Sequence, residues 1–124
     1  MRNINSNCFY SSKKEDFSHM LIRKINEKGM KNSDCYKKAR IDRKAFSKII
    51  NKNHIPKKAT ITSFVFALEL PLDEALQLYA KAGFTLSDCL IFDQIVYFFI
   101  ENSLYDLDIL NQYLFEQKQP LVGQ

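Results

Sequence analysis

The sequence predicts an all-α protein. Apolar residues make up 46% of its 124 residues, enough to bury a core, yet it holds only three Gly and three Pro, too few for the turns of a sandwich or barrel. Lys, Leu, Ile, Glu, Ala and Phe recur at spacings of three and four, and alternating apolar and polar stretches are scarce, which is the helical period rather than the strand period. Capping residues and breakers then divide the chain into short segments.

Residues 1–11 are polar, rich in Asn and Ser and without period, and are expected to form a flexible arm. Ser12 and Glu15 have capping-box spacing, and Phe17, Leu21 and Ile25 form the stripe of a first helix that Gly29 ends. A short second helix follows over Asn32–Arg40, capped by Asn32 or Ser33, with Cys35, Tyr36 and Ala39 inward. Asp42 caps a third, Arg43 to Asn51, whose apolar side is Ala45, Phe46, Ile49 and Ile50 and whose outer side is Arg43, Lys44, Ser47, Lys48 and Asn51. About two residues separate these helices, so they must cross steeply. Pro56 suits the start of a fourth helix with the stripe Ile61, Phe64, Val65 and Leu68. Pro71 breaks the chain before a fifth, with Leu72, Ala75, Leu76, Tyr79 and Ala82, closed by Gly83. Ser87 or Asp88 is expected to cap a sixth helix and Asp106 a seventh that contains Ile109, Leu110, Tyr113 and Leu114; residues 119–124 read as a frayed tail.

Charge is spread unevenly. Residues 37–58 hold nine Lys or Arg against one acid, Asp42, whereas residues 59–124 hold two Lys against nine Asp or Glu. A basic stretch of that density attracts phosphate, and the acidic C-terminal portion would repel it. Three cysteines (Cys8, Cys35, Cys89) with no pairing pattern and no secretory signal read as reduced thiols in a cytoplasmic protein, and Cys35 and Cys89 as inert core groups. The apolar run Leu90–Ile100 is interrupted by Asp93 and Gln94 and is too short to span a bilayer. His19 and His54 read as surface residues, and no zinc spacing, Gly-rich phosphate loop or nucleophile motif is present. The expectation is therefore a non-enzyme with no catalytic residue, no metal and no cofactor.

The order of the first five helices, with a tight turn between the second and third, resembles the Xre-type, phage-repressor-like helix-turn-helix family over roughly residues 17–83. Glu27-Lys28-Gly29-Met30 matches the family's first-helix exit, Ile41 its apolar turn residue, Asp42 its third-helix cap and Pro56-Lys57-Lys58 the loop before its fourth helix. Arg40 stands where the turn glycine is usual, Tyr36 where a small alanine is usual and Ile50 where an acid is frequent. The resemblance implies a repressor-like five-helix domain (12–84) with a two-helix C-terminal extension (85–118). It also implies a sequence-specific, dimeric transcriptional regulator that reads the major groove of double-stranded DNA with residues 43–51. Base contacts then fall to Arg43, Lys44, Ser47 and Lys48, and phosphate contacts to Asn32, Lys37, Lys38, Asn51, Lys57 and Lys58.

The segment from Ile91 to Ile100 is apolar almost all round and must be covered on several sides. Either the extension completes the core within one chain, or it forms a homodimer seam or partner groove through Phe92, Ile95, Val96, Phe99 and Tyr113. A second reading of the chain follows: a protein-interaction module (an adaptor, an antitoxin-like protein or a phage inhibitor) on the same fold without DNA binding.

Overall fold

The computed structural model describes residues 15–123. Those residues are all-helical, with seven helices and no strand among them: α1 Phe17–Glu27, α2 Asn32–Lys38, α3 Arg43–Lys52, α4 Lys58–Leu68, α5 Leu72–Lys81, α6 Ile91–Glu101 and α7 Leu107–Glu116. None is long and apolar enough to cross a membrane. The arm at residues 1–11, Cys8 and Ser12 lie outside the described residues.

The central element is α4. Its residues from Ile61 to Leu68 are all buried, Thr62 and Ser63 included. Polar residues survive inside this helix because each hydroxyl is satisfied locally: Thr62 Oγ1 donates to the Lys58 carbonyl at 2.9 Å and meets the Tyr79 hydroxyl, and Ser63 donates to the Thr60 carbonyl at 2.6 Å. Helices α2 and α5 pack against α4, α1 bridges α2, α3 and α5, and α6 and α7 form a hairpin on the remaining side. Phe66 of α4 joins that hairpin to the body, with Phe99 at 6.4 Å and Tyr105 edge-on at 5.7 Å, while Tyr105 donates to the Leu70 carbonyl at 2.7 Å. One continuous core results, running from Phe17 to Val122, and the hairpin completes it.

Several expected boundaries shift for local reasons. The first helix begins at Phe17, capped by Asp16, whose carboxylate accepts from the His19 amide at 3.0 Å. Glu15 precedes this helix and grips Arg23 at 2.7 and 2.8 Å; its expected capping-box partner Ser12 lies outside the described residues. Asn32 is already helical and Lys31 is the N-cap of α2, with no side-chain bond to the first turn. Four residues, Ala39–Asp42, separate α2 from α3, because α2 stops at Lys38. Neither Ser87 nor Asp88 caps α6, which starts from Leu90; Ser87 lends its amide to the Asp93 carboxylate at 2.7 Å. Leu76 is exposed and Leu78 takes the buried position.

The tail contradicts the expectation of fraying. Beyond α7 the chain reverses at Lys118 (φ 58°) and returns to the body. Val122 is fully buried, and Asn111 of α7 holds its backbone from both sides, donating to its carbonyl and accepting from its amide at 2.8 Å each. The apolar pair Leu121-Val122 behind Pro120 is the signal in the sequence for this docking.

Candidate nucleic-acid interface

The basic stretch divides into two groups once folded. One group is neutralised by acids from the C-terminal portion. Lys58 lies between the two Asp93 oxygens at 2.9 and 2.8 Å, with Asp93 1% exposed. Arg40 reaches Asp108 at 2.8 Å, and Lys38 lies 3.6 Å from Glu69. Lys58 was expected to hold a phosphate. It cannot do so without abandoning a buried carboxylate, so it is a structural residue.

The other group is free. Arg43, Lys44, Lys48 and Lys52 on α3, with Lys57 just beyond it and Lys37 at the end of α2, are exposed and form no ion pair among the described residues. The helical rise explains their convergence. Positions 43, 44, 47, 48 and 51 fall within one arc of about 140°, opposite the buried Phe46 and Ile49. Ser47 and Asn51 share that arc and are bonded to each other, Asn51 Nδ2 to Ser47 Oγ at 3.0 Å. Asp42, beside Arg43, is occupied as N-cap of α3, accepting from the Ala45 amide at 2.7 Å. Phe46, in tilted ring contact with Tyr36 at 5.1 Å and Phe64 at 6.1 Å, seats α3 on the body. Tyr36 is thus accommodated where the alanine of the resemblance would leave a smaller contact. Asn32 is exposed at the start of α2.

Beside α3 runs a cleft of about 650 Å³. Its lining includes Asp42, Lys44 and Lys48 of α3 and its cap, His54, Pro56 and Lys57 of the following loop, and Pro120, Leu121 and Gly123 of the tail. Lys52, His54 and the tail had no assigned role in the sequence. Lys52 was legible from charge alone, whereas the tail enters the site only because Asn111 brings it there. The cleft sets the Lys44, Lys48 and Lys57 side chains, with the Asp42 carboxylate among them, beside the apolar Pro120 and Leu121.

The residues expected at a partner surface separate in the same way. Phe92, Val96 and Phe99 are buried within the same chain and are not available to a second one; Ile95 is half-buried, and Tyr113 is exposed. The mechanism is the 3.6-residue period: α6 turns Phe92, Val96, Phe99 and Ile100 to the core and leaves Ile91, Tyr97 and Phe98 outside. Cys35 is buried and its thiol is pushed up to about 12 by desolvation, while Cys89, expected in the core, lies exposed in the turn before α6.

No family model, curated protein or solved structure matches this chain.

Proposed function

We propose that the chain is a DNA-binding regulator of the Xre-like kind, presenting α3 to the major groove of duplex DNA. The observation that carries this reading is the sorting of cations. Three of the nine in residues 37–58 are neutralised by C-terminal acids, and those left free gather on α3 and its flanks. In this reading Arg43, Lys44, Ser47 and Lys48 face bases, and Lys37, Lys57, Asn32 and Asn51 face phosphates. Each phosphate contact releases counterions, so binding weakens linearly in log salt with a slope near −0.9 per contact. A labelled random duplex titrated by anisotropy across a salt series is expected to bind wild type. On a random duplex, where no base is read, the same α3 cations meet phosphate, so the Arg43/Lys44/Lys48→Ala variant is expected to lose most of that affinity, with a slope shallower by about two to three. An unchanged slope would sink the assignment.

A second reading rests on a separate observation. Among the described residues, eight of the ten exposed large apolar side chains lie from Leu90 to Phe115, including Ile91, Phe98, Ile109, Tyr113 and Phe115. Beside them, the exposed Leu90 and Ile91 border a hollow of about 480 Å³. An apolar surface of that density favours protein contact, either a second copy in the dimer that half-site reading requires or a different chain. Sedimentation of wild type against Phe98→Glu/Tyr113→Glu tests it: a dimer that dissociates in the variant supports the seam, and a monomer in both leaves the surface for another partner.

A further inference from the structure

The loop that aims α3 is held by parts of the chain far from it in sequence. The α2–α3 turn passes through Arg40 in the left-handed region at φ 62°, a conformation that side chains with a Cβ rarely adopt. Two contacts from the C-terminal end reach this turn, and a third holds one of them in place. The Arg40 guanidinium donates to Asp108 at 2.8 Å. One helical turn further along α7, Asn111 fastens the backbone of Val122, whose side chain is sealed in the core. Val122 sets down Gly123, itself at φ 73°, so tightly that an added Cβ would sit 3.3 Å from the Ala39 carbonyl and from two Arg40 carbons. Asp108 and Asn111 are three residues apart on α7, hence on one face, and both act on the same turn.

We propose that α7 and the tail form a clamp that sets the presentation of α3, with Asp108, Asn111, Val122 and Gly123 as positioning residues for the basic face. The clamp replaces the geometric freedom a turn glycine would give with an external hold on Ala39 and Arg40. It deepens the nucleic-acid reading and rests on that reading only for what α3 is presented to. None of the four residues adds positive charge to the α3 face, so they alter how well a groove is read and not how strongly phosphate is attracted.

The test uses the full chain carrying Asn111→Ala or Gly123→Ala, with two readouts. Amide hydrogen exchange is expected to accelerate by roughly tenfold at Arg40, Ile41 and Ala45, while the α4 amides from Phe64 to Leu68 keep their protection. A Cβ at Gly123 would meet Ala39 and Arg40 and no α4 atom, so Gly123→Ala reads the clamp even if Asn111→Ala weakens folding. In the anisotropy titration of Asn111→Ala, which lies outside the cleft lining, affinity for a random duplex is expected to hold within about threefold with the same salt slope. Preference for a duplex selected from a random pool is expected to fall by roughly tenfold. Unchanged exchange at the turn in both variants overturns the clamp, as does equal acceleration in α4, which marks a merely structural contribution. Faster exchange at the turn alone, in a protein that binds no duplex, upholds the clamp and removes the nucleic-acid reading.

Discussion

Each of the seven described helices ends on a residue with positive φ: Gly29, Arg40, Asn53, Glu69, Gly83, Ser103 and Lys118. The bonds across these ends are of one kind. An amide just past the end reaches back to a carbonyl in the last turn, as with Met30 to Ile25, Ile41 to Tyr36, Leu70 to Val65 and Leu104 to Phe99. Gly29 and Gly83 could be read as helix stops from the sequence because glycine adopts this conformation without strain. Arg40, Glu69, Ser103 and Lys118 could not, since tertiary packing and not residue type places them there. Ser103 is the cleanest test, being exposed and without a side-chain partner. A left-handed residue bearing a Cβ costs about 1–2 kcal/mol, and glycine's extra unfolded-state entropy returns part of that. Ser103→Gly is therefore expected to stabilise the protein by roughly 0.5–1 kcal/mol, seen as a rise of a few degrees in the thermal midpoint. A fall in the midpoint would show that the turn carries no such strain.

Pairs of elements were harder to read than single ones. The sequence marks α4 as a helix with one apolar stripe and α6 as the helix apolar all round, and the structure inverts their surroundings. α4 is enclosed on every side with its hydroxyls turned back on its own carbonyls, while α6 leaves Ile91 and Phe98 in solvent. Hydropathy cannot report this, because a threonine that satisfies itself within the helix is as polar on paper as an exposed one. The same blindness placed Lys58 among the phosphate contacts, since charge density says nothing about which lysine meets a buried acid. The α4–α6 contact now predicts an asymmetry between two neighbouring lysines. Lys58→Ala strands Asp93, which is 1% exposed and retains only the Ser87 amide, and is expected to cost roughly 3 kcal/mol in urea unfolding. Lys57→Ala, at an exposed position, is expected to leave stability within about 0.5 kcal/mol. Equal costs would mean that the Lys58–Asp93 pair does not join the two helices.

At the scale of the whole molecule the buried ionisable groups set how stability follows pH. Burial raises the Cys35 thiol from an ordinary value near 9 to about 12, and it raises the fully buried Tyr79 phenol further still. Above pH 9 the unfolded thiol loses its proton while the folded one keeps it, so the folded state binds more protons and stability falls as pH rises from about 9 towards 12. Below pH 9 both states are protonated and this contribution is complete. Urea midpoints are expected to decline between pH 8.5 and 10.5, and Cys35→Ala should flatten the early part of that decline; an identical slope in the variant would assign it elsewhere.

The continuity of the core decides whether residues 85–118 are an appendage or part of the domain. The resemblance ends near Gly83, and a boundary drawn there would let the C-terminal hairpin melt by itself. Phe66 against Phe99 and Tyr105, Lys58 on Asp93, Arg40 on Asp108 and Val122 in the core all cross that boundary. Bonds spread along both faces of a boundary make separate unfolding costly, since opening it exposes apolar surface on each side. Leu114 of α7 is fully buried and sits far from α3 in sequence, so it reports on this coupling. Leu114→Ala is expected to cost about 2–5 kcal/mol, depending on how far the cavity collapses. The loss should appear as one shifted transition in which far-ultraviolet helix signal and near-ultraviolet tyrosine signal move together, with α2 amides losing protection in step with those of α7. Two transitions, with α1–α5 holding the wild-type midpoint, would restore the hairpin to the status of a separate unit and loosen the hold of α7 on the α2–α3 turn.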